Sequence, residues 1–240
     1  MVKYHGLARR YLKRLGFLMR PQLNSGTLDG LPFSCMARQS FPGYLQAALW
    51  ARARQDGFVG SGTTLRRIAL PIVHVLNLQS SSREHCCYLN LGAHLDFLPP
   101  EGGLPVEPSK LTESHCAFRS RIDPATGPAF GWPYLHDPSE VEESIAFAIG
   151  EWDRVAVPFF RAFGSYPESF QRLIRDADSR DVHPIDLKRL ALIAVHTGDS
   201  SRAKHLAEAA LERAPTTASL LIADLNALLR KLSDAAQLTP

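Results

Sequence analysis

Two runs decide the fold: Ile72-Val-His-Val-Leu-Asn-Leu-Gln79 and Cys86-Cys-Tyr-Leu-Asn-Leu-Gly92, with Ser80-Ser-Ser82 opening the polar stretch between them. The first is rich in β-branched residues, and both alternate apolar with polar positions, as half-buried strands do. A connection this short favours antiparallel pairing, because parallel strands need a crossover of about a dozen residues or more. Outward from this pair, Thr63–Ala69 reads as a strand before it and Ser114–Ile122 as a strand after it. The expected sheet is antiparallel, with about four strands.

Helices flank the sheet. Tyr44–Gln55 puts Leu45, Ala48 and Leu49 on one face, and Gly57 with Gly60-Ser-Gly62 ends it. Residues 99–108 and 123–133 hold clustered prolines and glycines and read as loops. Asp137 or Ser139 is placed to cap the next helix, with Pro138 in its first turn. Val141, Ile145, Ala148, Ile149 and Trp152 recur there at helical spacing, and Pro158 kinks or ends the run. Phe159, Phe160 and Phe163 are assigned to the core. The last third is helical: Asp186 is expected to cap Leu187–Thr197, Gly198-Asp199 turns the chain, Ser200–Arg213 returns, and Thr216 or Thr217 caps a final helix to about Leu232.

The expected class is therefore α+β, with packed helices and a C-terminal helical appendage. Three regions are expected: 1–35 as a basic N-terminal extension, 36–180 as the α+β domain, and 181–240 as a helical hairpin plus a final helix. Residues 1–35 carry Lys3, Arg9, Arg10, Lys13, Arg14 and Arg20 against Asp29 alone. Such a segment has the composition of a transit peptide or a membrane-surface helix. We expect instead an upstream extension, with the true start at Met36.

The net charge is +3, but that basic segment accounts for all of it, and the remaining chain is slightly acidic. Nucleic acid is therefore not expected as a partner. No apolar run approaches the roughly 20 residues of a membrane-spanning helix. Cys35, Cys86, Cys87 and Cys116 include no CxxC pair and read as small buried hydrophobes in a reducing, cytoplasmic setting. His94 and Asp96 lack a third ligand nearby, so His94 reads as a surface histidine. Asp176, Asp178, Asp181 and His183 lack the spacing of a divalent-ion loop. No Walker, dinucleotide, GxSxG or HExxH motif occurs. No metal, cofactor or catalytic residue is expected.

Several separated segments carry a resemblance. Gly57-Phe-Val-Gly-Ser-Gly62, Leu65-Arg-Arg67, His74-Val-Leu-Asn-Leu-Gln-Ser80, Tyr88-Leu-Asn-Leu-Gly92, His115-Cys-Ala-Phe-Arg-Ser-Arg121 and Val157-Pro-Phe-Phe160 occur in that order. Together they resemble a bacterial domain-of-unknown-function family, number 4304, over about residues 44–176. The resemblance implies a fold region and a start near Met36, and brings no activity or catalytic residue. Further on, Leu187, Leu190, Ala191, Gly198, Ala203, Ala207, Ala210 and Pro215 resemble the packing positions of a tetratricopeptide hairpin. Ala207 stands where that pattern has an aromatic. One repeat is too few for a solenoid, so an appendage is expected rather than a peptide-binding array.

Strand alternation also predicts a candidate site. Leu76, Leu78, Cys87, Leu89, Leu91, Cys116, Phe118 and Ile122 should face the helices. Asn77, Gln79, Tyr88, Asn90, His115, Arg119 and Arg121 should then converge on the other surface. Two Arg forks suit a carboxylate or phosphate, and amides supply both donors and acceptors. A solvated outer face, or amides bonded to loop backbone, accounts for the same pattern. The expected function is a non-enzymatic binding or interaction module for an unknown protein or a small anionic ligand. The alternative is an enzyme on a small anionic substrate, with Arg119 and Arg121 as anchors and His115 as acid or base.

Overall fold

A computed structural model describes residues 40–100, 103–124, 131–178 and 181–237. The expectations for residues 1–35, Cys35 and a start at Met36 lie outside the described residues. Helix α1 spans Phe41–Gln55, with Pro42 in its first turn and Arg52 and Arg54 in its last, where cations suit the negative end of the helix. Gly57 stops it. With φ at +84°, Gly57 donates to Arg54 O while Phe58 donates to Ala53 O, the paired bonds of a left-handed helix stop. That stop delivers Phe58 to the core and Asp56 to its edge.

Six strands follow: β1 (Val59–Ser61), β2 (Thr64–Ala69), β3 (Ile72–Ser81), β4 (Cys86–Leu95), β5 (Phe118–Ile122) and the short β6 (Trp132–Pro133). The order is β1-β2-β3-β4-β5, with β6 also on β4, and every pairing is antiparallel. The architecture is thus α+β, as the pattern predicted, with two short strands more than expected. β1 lies in a glycine-rich stretch that reads as a turn, and β6 covers only two residues, too few for a periodic signal. The fourth strand begins at Phe118 rather than Ser114. Residues 113–115 instead form a 3-10 turn, because the chain crosses the sheet face before joining its edge.

One face of the sheet packs on helices. Leu65, Leu76, Leu78, Leu89, Leu91, Phe118 and Ile122 lie in a single core. It is shared with α2 (Pro138–Glu151), α3 (Val157–Ala162), α4 (Glu168–Arg175), α5 (Pro184–His196), α6 (Ser200–Arg213) and α7 (Ser219–Gln237). Asp137 caps α2, accepting from Ser139 N and Glu140 N. Between α2 and α3, residues Trp152–Ala156 form a π turn. Pro158 follows directly, and its missing N–H removes one helical bond at this irregularity.

The C-terminal helices differ in one cap. His183, not Asp186, caps α5: its ring accepts from Ile185 N, while Asp186 pairs with Arg189 within the helix. The proline at the first helical position moves the start three residues earlier. Asp199 caps α6, and α7 begins at Ser219. Ala191, Ala194, Ala203, Ala207 and Ala210 are all fully buried, which lets α5 and α6 approach closely. Among the described residues, no helix is long and apolar enough to cross a membrane.

Candidate functional site

The pairing register sorts the second face of the sheet. Asn77 lies opposite Asn90, Gln79 opposite Tyr88, Asn90 opposite Arg121 and Gly92 opposite Arg119. Six of the seven expected residues therefore share one surface: Asn77, Gln79, Tyr88, Asn90, Arg119 and Arg121. His115 is not on a strand of this surface. It sits in the 3-10 turn, where its Nδ1 lies 3.1 Å from Thr112 N and 2.9 Å from Thr112 Oγ1.

This face has two halves. Over Val73 and Val75 it is apolar, and Val106, Leu111 and Cys116 cover it as a small second core. The covering segment sits directly on Gly92. A Cβ there would lie 2.6 Å from Cys116 Sγ and 3.3 Å from Glu113 Cα. Arg66 Nε fastens the segment by donating to Leu111 O at 2.6 Å. His94, expected at the surface, is buried beneath it and accepts from Ala117 N at 3.2 Å. The alternation of Val73, Val75 and His94 against the leucines contains no hint of this cover, because a loop carries no period.

The other half is a connected polar network. Arg121 Nε donates to Asn90 Oδ1 at 3.0 Å, and its guanidinium lies 4.4 Å from the centre of the Tyr88 ring. Asn90 Nδ2 lies 3.4 Å from both Asn77 Oδ1 and Gln79 Oε1. Asn77 in turn donates to Thr63 O and Thr64 Oγ1. Tyr88 donates its hydroxyl to Glu84. Burial lowers the Arg121 pKa, opposed by the charges of Asp123 and Glu113 and, more weakly, of Glu84. Asn90 is 4% exposed and Gln79 is open to solvent, so the network runs from a fixed base to an accessible rim.

The helix-side face carries two polar residues that alternation did not single out. Arg67 and His74 pair across β2 and β3, among the leucines. Arg67 Nη2 lies 3.0 Å from His74 Nδ1, its Nη1 donates to Asp56 O at 2.9 Å, and its guanidinium is 5.0 Å from the centre of Phe58 and 5.7 Å from that of Phe160. It borders a cavity of about 410 Å³, walled also by Asp56, Phe58, Val157, Phe160, Arg161 and Gly164. Four segments named above for their resemblance meet here, through Phe58, Arg67, His74 and Val157 with Phe160. Their convergence was the available signal, but segments about 100 residues apart have no visible neighbourhood until the chain folds.

Cys86, Cys87 and Cys116 are buried free thiols. Burial raises all three pKa values, that of Cys87 to about 12, so they behave as apolar filling rather than nucleophiles. Among the described residues, no cluster of His, Cys, Asp or Glu could hold a metal ion. Asp178, from the acidic turn, instead pairs with Arg202 and His205.

Residues 51–162 match the family model described as Domain of unknown function (DUF4304). The match spans the sheet and α2, and takes in both the polar face and most of the cavity wall. Helices α5 to α7 lie beyond it. No curated protein and no solved structure matches the chain.

Proposed function

We propose that this protein is a non-enzymatic interaction module whose polar sheet face docks a protein partner. The observation that carries this is the chain Tyr88–Arg121–Asn90–Asn77, with Gln79 at its open end. Amides held in place by a stacked guanidinium present fixed donors and acceptors, so little side-chain entropy is lost when a partner binds. Glu84, Glu113 and Asp123 act on Arg121, which makes the face mixed in sign. A mixed face suits a polar protein surface better than a free anion. With His115 turned toward Thr112, the histidine that the enzymatic alternative needs as acid or base is bonded elsewhere. This favours docking over the alternative, an enzyme on a small anionic substrate anchored by Arg119 and Arg121.

Its setting would be the bacterial cytoplasm, which suits its buried, unpaired cysteines and the family it resembles. The tetratricopeptide-like α5–α6 pair would serve as a rigid support. Affinity capture from the native source tests the proposal, with wild type and Gln79→Lys as paired baits. Gln79 is exposed, so the substitution should preserve folding while placing a charge at the open end of the face. A partner retained by wild type and lost by the variant is expected. Identical recovery on both baits would remove the proposal.

A further inference from the structure

Arg67 is a half-buried cation fixed in position, with the Asp56 charge nearby but no direct ion pair among the described residues. A guanidinium carries five N–H donors. Nε and Nη2 spend one each on His74 Nδ1, and Nη1 spends one on Asp56 O. The remaining two have no partner, and Arg67 forms no ion pair, among the described residues. Burial holds its pKa below the ordinary guanidinium value, with the charge of Asp56 acting the other way. Burying a cation costs free energy unless it is paired. Asp56, the one carboxylate in the cavity wall among the described residues, is already engaged. Its Oδ1 accepts from Arg52 and its Oδ2 from Trp152 Nε1. Arg161 adds a second, exposed cation at the rim.

We propose that the cavity bordered by Arg67 binds a small organic anion. Its carboxylate or phosphate group meets the open N–H pair of Arg67 and the charge of Arg161, and its apolar or aromatic body lies against Phe58, Val157 and Phe160. The volume of about 410 Å³ falls in the usual small-ligand range of about 300–1,000 Å³, more than an inorganic ion needs. An Arg fork fits either oxyanion, and the contacts of its guanidinium with the Phe58 and Phe160 rings help hold it in place. His74 is the positioning residue. Its Nδ1 accepts from Arg67 while its Nε2 donates to Phe163 O, so the backbone of the α3–α4 junction aligns the fork.

The test is a titration of the full chain, followed by calorimetry and amide chemical shifts. The probes are benzoate, phenyl phosphate, inorganic phosphate and the neutral benzyl alcohol. Saturable binding of at least one aryl anion is expected, tighter than inorganic phosphate and with no matching response to benzyl alcohol. The stronger of the two aryl anions identifies the head group. Arg67→Gln should weaken binding roughly tenfold or more, and Arg161→Gln a few-fold, the scale of losing one charge-assisted contact. Gln79→Lys, on the opposite face, should change nothing. Equal binding of the neutral probe, no saturable binding of either aryl anion, or undiminished binding by folded Arg67→Gln would overturn the proposal. If Arg67→Gln does not fold, Arg161→Gln decides: full affinity in that variant overturns it as well.

Discussion

Arg67 and His74 face each other directly across the β2–β3 ladder, with Nη2 of one 3.0 Å from Nδ1 of the other. The contact fixes the imidazole. Nδ1 accepts from Arg67, so the ring hydrogen sits on Nε2, which donates to Phe163 O at 3.0 Å. Only the neutral ring serves both partners.

That state makes stability depend on pH. The His74 pKa falls from 6.5 to about 4, chiefly through burial, then through the Arg67 charge, with the Phe163 bond opposing. Below about pH 6.5 the unfolded ring takes up a proton while the native ring stays neutral until near pH 4. The unfolded state then binds more protons, so this contribution is complete above that window and is lost as pH falls through it, by up to about 3 kcal/mol. Urea unfolding of wild type and His74→Gln at pH 7, 5.5 and 4.5 checks this. The gap between the two should narrow with acid, and a constant gap would exclude the assignment.

Arg121→Ala should be more costly than the near-neutral change expected of an exposed strand residue. It removes the donor from Asn90 Oδ1, which is buried at 4% exposure. An unsatisfied buried acceptor costs about 1–3 kcal/mol. Leu89→Ala, in the fully buried core, should cost about 2–5 kcal/mol. Denaturant midpoints for the two variants should fall in that order, and a neutral Arg121→Ala would mean that Asn90 does not depend on it.

Gly92→Ala tests the cover over Val73 and Val75. The new methyl would meet Cys116 Sγ at 2.6 Å and Glu113 Cα at 3.3 Å, against backbone as well as side chain. Overpacking of this kind costs about 1–3 kcal/mol. Hydrogen exchange should quicken at residues 111–117 before the rest of the sheet. Uniform protection would show that the segment is not seated on Gly92.

Ala207→Phe introduces an aromatic at the position where the resemblance to a tetratricopeptide hairpin would expect one. Ala207 is fully buried on α6, among the alanines of the α5–α6 contact. The close approach leaves no room, so the substitution should cost about 1–3 kcal/mol. A rise in melting temperature would show instead that the α5–α6 contact has room for the aromatic.

Much of the sheet was readable because its information is local. Alternation along Ile72–Gln79 and Cys86–Gly92 sets which side chains share a face, and a short polar turn leaves antiparallel pairing as the simple outcome. The grouping of Asn77, Gln79, Tyr88, Asn90, Arg119 and Arg121 follows from those rules alone. His115 escaped them because it lies where the chain crosses the face of the sheet, and position there is set by contact with Gly92 and Val75 rather than by period.

The sequence by itself determined the antiparallel character of the main strands, the division of the sheet into two faces and the helical character of the last third, since each depends on residues a few positions apart. Only the tertiary structure decided that half of the polar face is covered, that His94 is buried, and that Arg67 borders a cavity with Phe58, Phe160 and Arg161. Those outcomes depend on which distant surfaces meet. A cation on an apolar face breaks the alternation locally, and it makes physical sense only once packing shows what surrounds it.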